Sequence, residues 1–188
     1  MTWIASPDLS SLASRLLARR HDLLAHELRD GQNAVAADFA RRHVASPAVA
    51  KRTAAIWCEA FLKYGADVTQ QLLDLMLKSE DCLNSDCVEW VRVELHQNLD
   101  RTASGVSAAF KELASGRAVG HNLPVGTTDA LTGSFSRDIN RTLIDAKRDV
   151  DIALDRAVLE NRSKTDAEPP TDPALIDALT VRRPSGDR

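Results

Sequence analysis

Val88, Val91, Leu95, Leu99, Thr102, Val106, Phe110 and Leu113 follow one another at intervals of three and four residues. At 100° per residue they share one stripe of a helix that starts near Ser85–Asp86 and ends near Ser115–Gly116. A stripe of that length must be covered, because each Å² of apolar surface withdrawn from water is worth about 25 cal/mol. The rest of the chain supplies cover of the same kind. Leu17, Leu24, Leu28, Val35 and Phe39 lie on one helical face. Their phase runs unbroken through Asp30–Gly31, otherwise a turn signal, and so favours a single helix from Pro7–Asp8 to about Val44. Ser46–Pro47 reads as a cap followed by a proline at the first helical position. The helix it opens carries Trp57, Phe61, Tyr64, Val68, Leu72 and Leu75 to about Lys78. A last helix, capped by Ser134 or Ser136, carries Ile139, Leu143, Ala146, Val150, Ala153 and Ala157 to about Arg162.

Four amphipathic segments define the expected fold class: all-α, an antiparallel helical bundle of about four long helices. The six or so residues between the second and third predict that these two are antiparallel neighbours. Apolar residues make up 44% of the 188-residue chain and aromatics only 4%, which suits a core of Leu, Val, Ile and Ala. The bundle domain is expected over residues 1–163. Within it, the stretch 116–135 holds four of the eight glycines and reads as one long crossover loop. From Lys164 onward the Pro-rich, acidic composition predicts a disordered C-terminal tail, with a short helix over 172–180.

Charge narrows the functional classes. Lys and Arg total 24 and Asp and Glu 27, for a net charge of −3. The signs interleave along helix faces and form no basic stripe, which argues against a nucleic-acid partner. No segment approaches the ~18 consecutive apolar residues of a membrane span, so no membrane partner is expected. Three cysteines, Cys58, Cys82 and Cys87, and no basic-then-apolar leader point to reduced thiols in a cytoplasm. The excess of arginine over lysine, with abundant alanine, hints at a GC-rich bacterial genome.

Motifs for chemistry are sparse. Cys82 and Cys87 flank a turn, but no second ligand pair accompanies them, so no metal is expected. No Glu-x-x-His pair, no phosphate-binding glycine loop and no strand–helix alternation appears, and no cofactor is expected. Two short matches lie in "RRHDLLAHELRDG". His26–Glu27–Leu28–Arg29 resembles the phosphoacceptor box of sensor histidine kinases, with Asp30–Gly31 where that box usually continues into proline. The resemblance implies phosphotransfer through an exposed His26. Arg20–His21 followed by His26 resembles the Arg-(polar)-x-x-x-x-His signature of HEPN-type ribonucleases, which are all-α. It implies RNA cleavage, with His26 as acid or base and Arg20 as charge stabiliser.

Apolar residues outside the stripes suggest contacts. Leu73 and Leu77 lie on the back of the second helix, and Trp90 and Val93 on the back of the third, at the same end of the hairpin. They form a candidate dimer or partner interface anchored by Trp90. Leu175, Ile176 and Leu179 offer a second contact in the tail. His121 and Asp129 are the polar residues of the long loop that would mark a pocket if they faced one another. The sequence therefore predicts a non-enzymatic, cytoplasmic interaction or regulatory protein, with itself or another protein as partner and a homodimer as the expected state.

Overall fold

The structure, a computed structural model, describes residues 7–41, 46–78, 85–115 and 125–167. These form four helices: α1 (Pro7–Arg41), α2 (Ser46–Lys78), α3 (Ser85–Ala114) and α4 (Val125–Ala167). No strand occurs among the described residues. The fold is all-α, as the apolar periodicity requires, and every residue of the α3 stripe from Val88 to Leu113 is buried.

Consecutive helices run antiparallel. Trp57 of α2 meets Leu28 of α1, and Tyr64 of α2 donates to Asn98 of α3 at 2.5 Å. Lys147 of α4 reaches Asp100 of α3 at 2.7 Å. The arrangement is nevertheless not a square bundle. α2, α3 and α4 pack mutually, while α1 rests on α2 and has at most marginal contact with α3 and α4. On α2, Ile56, Lys63 and Asp67 face α1, whereas Cys58 and Gly65 face α4. At 100° per residue these sets lie roughly 160° apart, so α1 and α4 occupy opposite flanks of α2. The parallel pair α2 and α4, diagonal in a square bundle, is in direct contact. Gly65 permits it, since a Cβ there would sit 3.4 Å from the Ala146 Cβ.

The four helices converge on Trp57. Its indole N–H donates to the Leu28 carbonyl of α1 at 3.0 Å. Its ring meets Phe110 of α3 edge-on at 5.9 Å and Phe135 of α4 at 6.3 Å. Phe110 and Phe135 stack at 4.0 Å. The core extends from this cluster along Phe61, Val68 and Leu72 of α2 to Leu95 and Leu99 of α3 and Ile139, Val150 and Leu154 of α4.

α1 is one helix through Gly31, as the phase of its apolar residues implies. The glycine has a steric cause: a Cβ there would lie 2.9 Å from the Ile56 Cγ2 on α2. The long crossover loop expected over 116–135 is corrected. α4 begins at Val125, nine residues before Ser134, and lies antiparallel beside α3. Gly126 is the second residue of α4 and Gly133 lies in its interior; a Cβ would meet nothing within 4 Å at Gly126 and only the Arg137 side chain, 3.9 Å away, at Gly133. In the helix interior Gly133 costs about 1 kcal/mol of helix propensity. Burial of Leu131 and Phe135 between them outweighs that cost, at roughly 1.5–3 kcal/mol per side chain. The first turn is further held by Thr128, whose hydroxyl donates to the Ala114 carbonyl at 3.3 Å and so caps the end of α3. α4 also continues to Ala167, past the boundary expected at residue 163. The expected helix over 172–180 lies outside the described residues.

These contacts separate the glycines by experiment. Gly105→Ala and Gly133→Ala should each raise stability by about 0.5–1 kcal/mol in urea unfolding, because the helix gains and nothing clashes. Gly31→Ala should show no such gain. Combined with Ile56→Ala, it should regain the helix-propensity benefit, which a double-mutant cycle reads as non-additivity.

Candidate functional site

Leu73 and Trp90 turn inward from the predicted hairpin interface. Leu73 is buried within the core and Trp90 is half-buried against it. Leu77 and Val93 remain exposed, at 55% and 42%. The patch is thus narrower than the sequence implies, since tertiary packing withdraws its proposed anchor.

Arg20 and His26 are not brought together. They lie about 120° apart around α1. Arg20 ion-pairs with Asp67 of α2 at 3.5 Å, and His26 is exposed. Arg20 lines the groove along α1 described below, and His26 is not among that groove's described lining residues. Asp129 is an exposed residue of the second turn of α4. His121 and the tail residues Leu175, Ile176 and Leu179 lie outside the described residues, as does Cys82. Cys87 is buried on α3, and Cys58 is half-buried on α2. No group of three or more His, Cys, Asp or Glu side chains is placed to hold a metal ion among the described residues.

The most charged contact is an ionic seam between α3 and α4. Arg92 reaches Asp151 at 2.7 Å and Asp155 at 2.9 Å, and its Nε lies 3.3 Å from Glu89 without hydrogen-bond alignment. His96 Nε2 lies 3.3 Å from the same Asp151 carboxylate, again unaligned. Burial works against the Arg92 charge. The hydrogen bond to Asp155 and the charge of Asp151 more than offset it and hold the guanidinium firmly ionised. Lys147 and Asp100 extend the seam by one turn. Such partly exposed pairs orient helices more than they stabilise them. The carboxylates are occupied by cations, which suits registry between α3 and α4 and leaves no base poised over a cavity.

Two concave surfaces are lined by described residues. The larger is a groove of about 870 Å³ between the N-terminal halves of the parallel helices α2 and α4. Its floor includes Phe110, Leu131 and Phe135, and its walls are made by small residues: Ala54 and Ala55 on α2, Gly126, Ala130 and Ser134 on α4. The last three recur at four-residue intervals along one face. That row is invisible when 116–135 is read as loop, because it exists only once those residues become helical. Lys51, Asp138 and Arg141 stand at the polar rim.

The smaller surface, about 560 Å³, lies along α1 and is lined by Leu12, Arg15, Leu16, Arg19, Arg20 and Leu23, with Gln71 of α2. Leu12 and Leu23 are 44% and 42% exposed. The helical stripe expected on α1 is the one that faces α2, and this row is a second one beside it. The spacing of Leu12, Leu16 and Leu23, four then seven residues, is the signal that could have revealed it.

No family model, no curated protein and no solved structure matches this chain. No described helix is long and apolar enough to cross a membrane.

Cys58 reports on the larger groove, which it lines. Burial pushes its thiol up, a hydrogen bond with the Thr142 hydroxyl draws it partly back, and the nearby Asp138 carboxylate pushes it up again. The thiolate is the reacting form. In a Cys82→Ala background, alkylation of Cys58 by iodoacetamide should therefore lag behind a free thiol at pH 8. It should accelerate only as the pH passes above the ordinary thiol range, followed by mass spectrometry.

Proposed function

We propose that this chain is a non-enzymatic, cytoplasmic interaction protein of regulatory type that works through helix surfaces and pairs with a second copy of itself through α1. The observation that carries the reading is the lopsided position of α1, which covers α2 with one stripe and leaves Leu12 and Leu23 exposed beside it, with Leu16 half-buried between them. A helix anchored on one side with a second apolar row is suited to a helix partner.

A second copy fits the charge pattern. Arg15 and Arg19 flank the leucines towards the start of the helix, and Asp22 and Asp30 follow further along. An antiparallel pair of α1 helices brings the basic part of each towards the acidic part of the other. A two-fold axis satisfies both contacts at once. The exposed Leu77 and Val93 add apolar surface elsewhere on the bundle. No observation favours the ribonuclease reading once Arg20 is held by Asp67.

Sedimentation velocity across a concentration series should show a dimer mass that dissociates on dilution. Leu12→Asp combined with Leu23→Asp should leave a monomer of unchanged helicity. A wild-type chain that stays monomeric at high concentration would sink self-association, and a double variant that still dimerises would move the contact away from α1.

A further inference from the structure

The chemistry of the groove between α2 and α4 is specific enough to name a class of ligand. It runs along Pro47–Cys58 of α2 and Gly126–Thr142 of α4, about 17 Å and 24 Å at 1.5 Å per residue, so it is long and narrow. Its volume of about 870 Å³ falls in the range of small-molecule sites, roughly 300–1,000 Å³. The floor of Phe110, Leu131 and Phe135 is apolar. Among the described residues the charged groups of the lining are few and unequal in sign: Lys51 and Arg141 against Asp138. Neither cation ion-pairs with a described residue, and both are exposed at the rim.

The direction of the helices strengthens that bias. α2 and α4 are parallel, so both start at this end of the bundle. Neither carries an acidic residue in its first turn. Their partial positive ends therefore add to the field of Lys51, which stands in the second turn of α2. The Ser134 hydroxyl on the wall can serve as a further donor.

We infer that this groove binds a single-chain amphiphilic anion of the acyl-carboxylate class. The chain lies along Leu131 and Phe135, and the carboxylate meets Lys51 through a charge-assisted hydrogen bond. The small residues along the walls are what leave room for it, and Cys58 sits beside the bound chain. The inference is independent of self-association through α1, which uses a different face.

Dodecanoate is the probe, titrated below its micellar concentration by calorimetry, with dodecanol and dodecyltrimethylammonium as neutral and cationic comparators. Saturable binding of one dodecanoate per chain is expected, with affinity about tenfold or more above either comparator, the scale of one charge-assisted contact. Lys51→Gln should remove that preference. Ala130→Trp, a change at an exposed wall position, should block the groove and abolish binding. Bound dodecanoate should slow alkylation of Cys58 in the Cys82→Ala chain, a readout that does not depend on how the Trp variant folds. All of this should hold equally in the Leu12→Asp/Leu23→Asp monomer, so the two proposals fail separately. Equal binding of all three amphiphiles, undiminished binding by a folded Ala130→Trp chain, or no protection of Cys58 would overturn the inference. So would a groove that ignores dodecanoate and takes an acidic amphipathic helical peptide instead.

Discussion

Trp57 is the side chain on which the arrangement of the four helices depends. Its ring edge is shared between Phe110 and Phe135, and its N–H is spent on a backbone carbonyl of α1. An indole needs both an apolar bed and a partner for its donor. The only way to supply both here is to put the aromatic pair of α3 and α4 on one side and the α1 backbone on the other. That demand places α2 in the middle. It draws α3 and α4 together over the core face of α2 and leaves α1 to approach from outside. Three of the chain's eight aromatic residues meet at this crossing.

The two open surfaces are consequences of that geometry. Because α1 touches mainly α2 among the described helices, Leu12 and Leu23 on one of its flanks stay exposed. Because α2 and α4 are drawn close at Gly65 and Ala146, their N-terminal halves run side by side with small residues facing each other. A groove opens there over the Phe110–Phe135 stack. The ionic seam from Arg92 to Lys147 fixes the register of α4 along α3, and so fixes which residues of α4 line that groove. Charge on this protein thus sets alignment within the bundle, while the unpaired Lys51 and Arg141 are left facing solvent at its other side.

Much of the bundle was legible because helical periodicity is a local property. The stripes of α2 and α3 predicted the buried residues from Trp57 to Leu72 and from Val88 to Leu113, and Ser46–Pro47 marked its helix start to the residue. The errors fell where local preference and tertiary burial disagree. Gly126 and Gly133 signal a turn in isolation, yet Leu131 and Phe135 make helix the better state once α3 offers a surface. Leu154, fully buried on α4, lay outside the predicted stripe, because contact with both α2 and α3 widens the buried face beyond one row. The candidate sites were harder still. Trp90 looked like an anchor because the back of a helix cannot be told from an uncovered face without its neighbours.

The sequence by itself determined that the chain is helical, where three of its four helices begin, and which row of each meets the core, since these follow from spacing, caps and the cost of exposing apolar side chains. Only the tertiary structure decided that α1 lies outside the α2–α3–α4 core, that α4 starts at Val125, and that a groove forms between two parallel helices. Those outcomes depend on which apolar faces meet across distances in sequence. Here they depend on one indole, two glycines that let helices approach, and a pair of phenylalanines 25 residues apart in the chain that stack at 4.0 Å.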